Sequence, residues 1–248
     1  MRTLIKTTHM GQYASTTSEP IYQLIMLLPL LVAYELAAVA INFDTPFQLR
    51  NGADILVKLA LHKLGIRGVV SFVLVVVLFV SLLIIAAFKK HKARLNVAYF
   101  PAMFAESTVY AFVVGIASAR LTGILIGSNP FLAVGGPVTL SERLMIALGA
   151  GVYEELVFRA LLITILLVVV RRLVAREEHA AIASVILSAL LFSGFHYVGE
   201  FGEVFDTTTF VFRTVAGLIL SAIYVTRGIG TTAWAHSLYD LFLIGGIL

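Results

Sequence analysis

From Leu144 to Val170 the chain is apolar, and inside that run sit Glu154, Glu155 and Arg159. An apolar stretch of this length reads as a membrane span rather than a soluble helix. Each ionised group near a bilayer centre costs at least roughly 2.5–3.5 kcal/mol on insertion scales. Three of them within six positions require either an internal ion pair or a polar cavity. Helix geometry divides the work. Glu155 and Arg159 are four apart with the Glu on the N-terminal side, the favourable order for a local ion pair. Glu154 is turned about 100° away in an α-helix and needs a partner from another helix. Glu154 is therefore the candidate chemical group.

Composition extends the membrane reading to the whole chain. Sixty per cent of residues are hydrophobic and 13% are charged, against about 25% charged in soluble domains. The expected fold is all-α: a polytopic transmembrane helix bundle of about seven spans, at 20–43, 68–88, 97–126, 144–170, 179–198, 208–226 and 231–248. Residues 51–66 mix Ile55, Leu56, Leu59, Leu61 and Leu64 with Asp54, Lys58, His62 and Lys63. They predict an amphipathic helix, lying on the membrane surface or connecting two spans. Residues 1–19 are polar and predict a disordered or interfacial start. Ala38-Val39-Ala40 resembles a signal-cleavage site, but the run that contains it is long enough to read as a span. Ser141 is the expected N-cap of the fourth span.

The basic residues concentrate in 89–94, in Arg171, Arg172 and Arg176, and at Arg227. With seven spans these fall on the same side as the N-terminus, which is cytoplasmic by the positive-inside rule. The pI near 9.4 thus speaks to topology, and no nucleic-acid partner is expected. There are no cysteines, so disulfides, iron–sulfur clusters, thiolate zinc sites and cysteine nucleophiles are excluded.

Three late spans each carry an ionisable group: Glu154, then His196, then His236 with Asp240 four residues on and so on the same helix face. Such groups usually face the bundle interior and pair with one another. At ~1.5 Å per residue, Glu154 lies about 25 Å from Arg171 and His196 about 24 Å from Ala180, matching depths. His236 lies only about 13 Å from Arg227 on the same measure, so the turn at 228–232 strains this topology. Glu35 and Glu106 are further intramembrane carboxylates outside any motif. Tyr153, Tyr197, Trp234 and Tyr239 read as packing or interface aromatics.

The constellation suits hydrolysis. A carboxylate and an imidazole can activate a water, and a second imidazole can donate to an oxyanion. Ser193 and Ser237 adjoin these histidines but sit in no nucleophile turn. Two His and one Glu are also a known zinc set, though the His-Glu-x-x-His spacing is absent. No metal and no cofactor are expected.

Glu154-Glu155-x-x-x-Arg159, Phe192-x-x-x-His196 and His236-x-x-x-Asp240, in this order, resemble the CAAX-protease and bacteriocin-processing family, which includes the Rce1-type prenyl-protein endopeptidases. The resemblance covers roughly residues 142–245. It divides the chain into N-terminal spans with an interfacial helix, 1–141, and a protease-like helical core, 142–248. It implies an intramembrane glutamate endopeptidase in which Glu154 and His196 activate the water. His236 and position 240 would form the oxyanion site, and Glu155 and Arg159, with Phe192, would support the motif. Eukaryotic prenyl-processing members have Asn at the last position, where this chain has Asp240. An ionised Asp only accepts, so Asp240 is expected to orient His236. The implied partners are the bilayer and a membrane-associated protein or peptide substrate, lipidated or not. The compact length fits a prokaryotic cell membrane. Two other readings remain: a bacteriocin immunity or assembly factor, since the family includes members assigned to self-immunity, and a proton-coupled transporter, against which stands the lack of an inverted repeat.

Overall fold

A computed structural model describes residues 9–43, 49–66, 95–127, 139–199 and 202–248, with position 68 and scattered positions from 73 to 85. All regular structure among them is helical: α1 (His9–Thr17), α2 (Pro20–Asn42), α3 (Gly52–Lys63), α4 (Tyr99–Ile126), α5 (Leu140–Gly149), a π-helix (Ala150–Leu162), α6 (Ile163–Val170), α7 (Glu177–Phe195), α8 (Thr207–Arg227) and α9 (Ile229–Ile244). Four of these, α2, α4, α7 and α8, are long and apolar enough to cross a membrane. The expected seven spans are not all of that kind. The helical path from Leu140 to Val170 is split by the π-helix, and α9 has 16 residues, about 24 Å at 1.5 Å per residue, against a hydrocarbon core of about 30 Å. The expected span at 68–88 lies largely outside the described residues, as do the basic cluster at 89–94 and most of the loop before Thr139.

Two sequence expectations are corrected at helix starts. Part of the polar start is ordered as α1, which lies against α2 and α4. The N-cap of α5 is Thr139, not Ser141: Thr139 Oγ1 accepts from the Glu142 N–H at 3.3 Å, and Glu142 Oε2 accepts from the Thr139 N–H at 2.6 Å. The pattern Thr139-x-x-Glu142 forms a reciprocal capping box, whereas three residues after Ser141 comes Leu144, which cannot return the bond.

The helix α3 is inside out relative to an amphipathic helix on a soluble protein. Asp54 is fully buried, while Ile55, Leu56 and Leu59 are 41–51% exposed. Its 12 residues are too short to cross, and its polar N-terminal end is turned inward on the π-helix.

Arg227 does not mark an aqueous loop. It is buried, and its Nε and Nη2 donate to Glu106 at 2.6 and 2.7 Å. It also donates to the Ala14 carbonyl, Thr17 Oγ1 and Ser18 Oγ, which ties α1 to the ends of α4 and α8. Tyr13 donates to the same Glu106 at 2.9 Å; burial and then the Glu106 carboxylate push its hydroxyl pKa up to about 12. A buried guanidinium requires such partners. The turn after it is one residue, Gly228, whose positive φ of 96° ends α8 and lets α9 begin at once. The depth mismatch at His236 arose from counting Arg227 as a surface residue.

Candidate active site

The two carboxylates lie on a π-helix, Ala150–Leu162. A π-helix bonds i→i+5 and is most often found as a short bulge at functional sites. Each residue turns through less than the ~100° of an α-helix, so Glu154 and Glu155 diverge less than the sequence predicts, and both are buried. Two glycines let neighbours approach. A Cβ at Gly151 would lie 2.1 Å from Ser237 Oγ and 2.3 Å from the Ala233 carbonyl oxygen of α9. One at Gly149 would lie 2.5 Å from the Tyr34 ring and 2.9 Å from Asn51 Cβ.

The α9 contact brings His236 onto Glu155. Nδ1 of His236 lies 2.7 Å from Glu155 Oε1, and a carboxylate accepts, so Nδ1 carries the proton. The same Oε1 lies 3.0 Å from Arg159 Nη1, placing the expected Glu155–Arg159 pair at ion-pair distance. Nε2 of His236 faces Glu154 Oε2 at 4.0 Å and Asp240 Oδ2 at 3.7 Å. Both separations are too long for direct hydrogen bonds and suit a bridging water or substrate atom. The orienting bond expected from Asp240 comes instead from Glu155, and Asp240 stands on the opposite side of the ring.

His196 follows the end of α7. Its Nδ1 lies 3.0 Å from the Phe192 carbonyl, which can only accept, so the neutral ring keeps Nε2 as a free acceptor. Its imidazole and the Glu154 carboxylate interact electrostatically. Phe192 is the floor between these parts. The Arg159 guanidinium lies 4.3 Å over its ring, and the rings of Phe158, His196 and His236 lie 5.3, 5.2 and 6.1 Å away. Ser193 and Ser237 each donate to a backbone carbonyl, of Phe210 and Ala147, so neither hydroxyl is held toward the histidines. Among the described residues, no three His, Asp or Glu side chains are grouped as a metal cage.

Residues 137–242 match a family described as type II CAAX prenyl endopeptidase Rce1-like. This segment is similar to Rce1-like domains. It runs from just before the cap of α5 into α9 and contains Glu154, Glu155, Arg159, Phe192, His196, His236 and Asp240. No curated protein and no solved structure matches the chain.

One side chain in contact with Glu154 lies outside the Rce1-like segment, and sequence reasoning missed it. Asn51 Nδ2 donates to Glu154 Oε1 at 2.8 Å. Its Oδ1 accepts from the Ala53 N–H at 2.9 Å and caps α3. An Asn just before a helical stretch is an N-cap signal, which was present in the sequence, but nothing there pointed across 103 residues to Glu154. Glu35, read as an intramembrane carboxylate outside any motif, belongs to a buried network beside it. It accepts from Tyr153 Oη at 2.6 Å and from Arg50 Nη1 at 3.0 Å. Arg50 also donates to Asp54 at 3.0 Å, which accepts from Tyr34 and Lys58 at 2.7 Å each. Tyr153 is thus a hydrogen-bonding residue as well as a packing one. Glu106 stands apart, with Arg227. Trp234 Nε1 donates to the Met26 carbonyl at 2.7 Å, and Tyr197 shares a 2.7 Å hydrogen bond with Thr209.

An apolar groove of about 530 Å³ opens beside the site, lined by Leu56, Val157, Phe158, Leu161, Leu191 and Phe195 among others.

Proposed function

We propose that this protein is an intramembrane endopeptidase that hydrolyses a peptide bond of a membrane-associated substrate with a water activated by Glu154 and His196. The carrying observation is the convergence of Glu154 and Asp240 on His236 Nε2 at 4.0 and 3.7 Å, distances that fit a water or a scissile carbonyl oxygen between them. Glu154 takes a proton from the water as general base, the hydroxide attacks the carbonyl carbon, and the C–N bond breaks as the amine leaves with a proton returned through Glu154 or His196. In its imidazolium form His236 keeps Nδ1–H on Glu155 and donates Nε2–H to the oxyanion. Asp240 Oδ2, 3.7 Å from the same Nε2, accepts from a bound water or a substrate N–H on that side. Arg159 holds Glu155, and Phe192 seats the guanidinium. The groove beside Phe158 is the seat for an apolar substituent of the substrate, in line with the prenyl endopeptidase description of the matching family. The four long helices cross the membrane, with the apolar sequence at 68–88 and the helical path from Leu140 to Val170 as further crossings, while α9 at about 24 Å falls short of the full hydrocarbon core. The N-terminus is cytoplasmic in a prokaryotic cell membrane.

The test is cleavage by the purified, detergent-solubilised protein of a farnesylated CAAX peptide, its unprenylated twin and a membrane-peptide pool, each with and without a strong chelator. Loss of a positioned general base lowers the rate by roughly 10²–10⁴, so Glu154→Gln, and likewise His196→Ala and His236→Ala, fall by that much with folding intact. Glu155→Ala and Arg159→Ala lose stability together with activity. Wild-type cleavage by Glu154→Gln refutes the proposal. Loss of activity with chelator moves the histidines to metal ligation, and loss of cellular function only in variants that cleave normally points to the immunity reading.

A further inference from the structure

We infer that Asn51 is a positioning residue for Glu154, so that the site of the Rce1-like segment is completed by a side chain from the N-terminal part of the chain. The inference rests on the proposed role of Glu154.

Every polar group of Asn51 is committed. Its main-chain N–H donates to Tyr34 Oη at 3.3 Å, Oδ1 caps α3 at Ala53, and Nδ2 donates to Glu154 Oε1. The amide orientation follows from this network: only an acceptor can face the Ala53 N–H, so the NH2 group must face the carboxylate. With Oε1 held, Oε2 is the oxygen turned to His236 Nε2. Asn51 thereby decides which oxygen of Glu154 meets the water. Asn51 is 4% exposed.

Asn51 is itself held by a closed ring. Asn51 bonds Glu154; the preceding Tyr153 bonds Glu35; Glu35 accepts from Arg50, the residue before Asn51. Three hydrogen bonds and two peptide links thus join α2, the start of α3 and the π-helix. Gly149 leaves the room: a Cβ there would meet both Tyr34 and Asn51 at under 3.0 Å. A cap alone needs none of this, because an N-cap asks only for an oxygen at the right distance from the first turn.

That difference makes the inference testable on the full-length protein. Ser and Asp cap helices about as well as Asn. A serine Oγ stops one bond short of Nδ2 and cannot reach Glu154, and the Asn51→Asp exchange sets an acceptor against an acceptor. The direct readout is infrared spectroscopy of protein labelled with ¹³C at the Glu carboxyls, with the Glu154 band assigned by its loss in Glu154→Gln. Asn51→Ser shifts that band and leaves the thermal midpoint unchanged. On whichever peptide the wild type cleaves, it lowers kcat by roughly 10–100-fold, the loss expected when a reacting group is misplaced by about 1 Å, with KM little changed. Asn51→Asp does so more severely. An unmoved Glu154 band, or wild-type kcat in both variants, overturns the inference. Wild-type activity in Glu154→Gln instead removes the catalytic reading of Glu154, and the band then reports on the Asn51 contact alone.

Discussion

Replacing Gly151 by Ala puts the contact between the π-helix and α9 under direct strain. The added Cβ would lie 2.3 Å from the Ala233 carbonyl oxygen, and a real Cβ essentially never comes within 3.0 Å of such an atom. That oxygen is backbone and cannot rotate away, so the two helices must part by about 0.7 Å. If they separate rigidly, the 2.7 Å bond between His236 Nδ1 and Glu155 opens to about 3.4 Å, past the range of an N–H···O bond of about 2.7–3.2 Å. Overpacking of this kind costs typically about 1–3 kcal/mol, or roughly 2–12 °C in thermal midpoint for a chain of 150–250 residues. Displacement of the histidine by most of an ångström costs up to about 100-fold in rate. Thermal unfolding in detergent and peptide cleavage, measured on the same preparation, check both. Ser237→Ala added to Gly151→Ala removes the 2.1 Å contact with Oγ but not the one with the Ala233 carbonyl, so the double variant remains impaired. A Gly151→Ala protein with wild-type midpoint and rate would show that the close approach of these helices does not set the site.

Two further outcomes follow from contacts at helix ends. Arg227→Ala leaves the part-buried Glu106 without its guanidinium and costs about 1.5–3 kcal/mol, the worth of hydrogen bonds to a charged group, whereas Arg227→Met combined with Glu106→Leu recovers much of this, since apolar replacement of an ion pair is often near neutral; thermal unfolding decides, and equal midpoints for wild type and Arg227→Ala would refute the pairing. Thr139→Ala costs about 1 kcal/mol through loss of the α5 cap while Ser141→Ala is near neutral, and the reverse order would restore Ser141 as the cap.

What could be read in the sequence was local. Glu155 and Arg159 pair as their four-residue spacing predicts, although the helix that carries them is a π-helix and not the α-helix that spacing assumed. The order Glu154, His196, His236, Asp240 carried the family likeness, and the apolar composition carried the helical membrane fold. What could not be read depends on contacts between distant segments. A π-helix has no signature in an apolar run, because Leu, Val and Ala suit either bonding pattern. That Glu155 rather than Asp240 holds His236 Nδ1 follows from the approach of α9 at Gly151, and a spacing of four on one helix says nothing of a carboxylate on another. Arg227 misled because a charge at a helix end looks alike whether water or Glu106 receives it. The cap at Thr139 was legible, since only Thr139 of the two candidates has a Glu three residues on.

The i→i+5 bonding of Ala150–Leu162 also makes the number of residues in this segment matter. An α-helix accepts the deletion of a residue by rotating everything beyond it through about 100°. Here a single deletion would let the wide turns tighten, rotating Glu154 away from His236 and turning Phe158 off Phe192 while every motif residue was still present. Outward-facing positions such as Val168, 55% exposed, are free to vary in identity, but the count of residues between Thr139 and Val170 is not. Length, in this stretch, acts as a functional residue does.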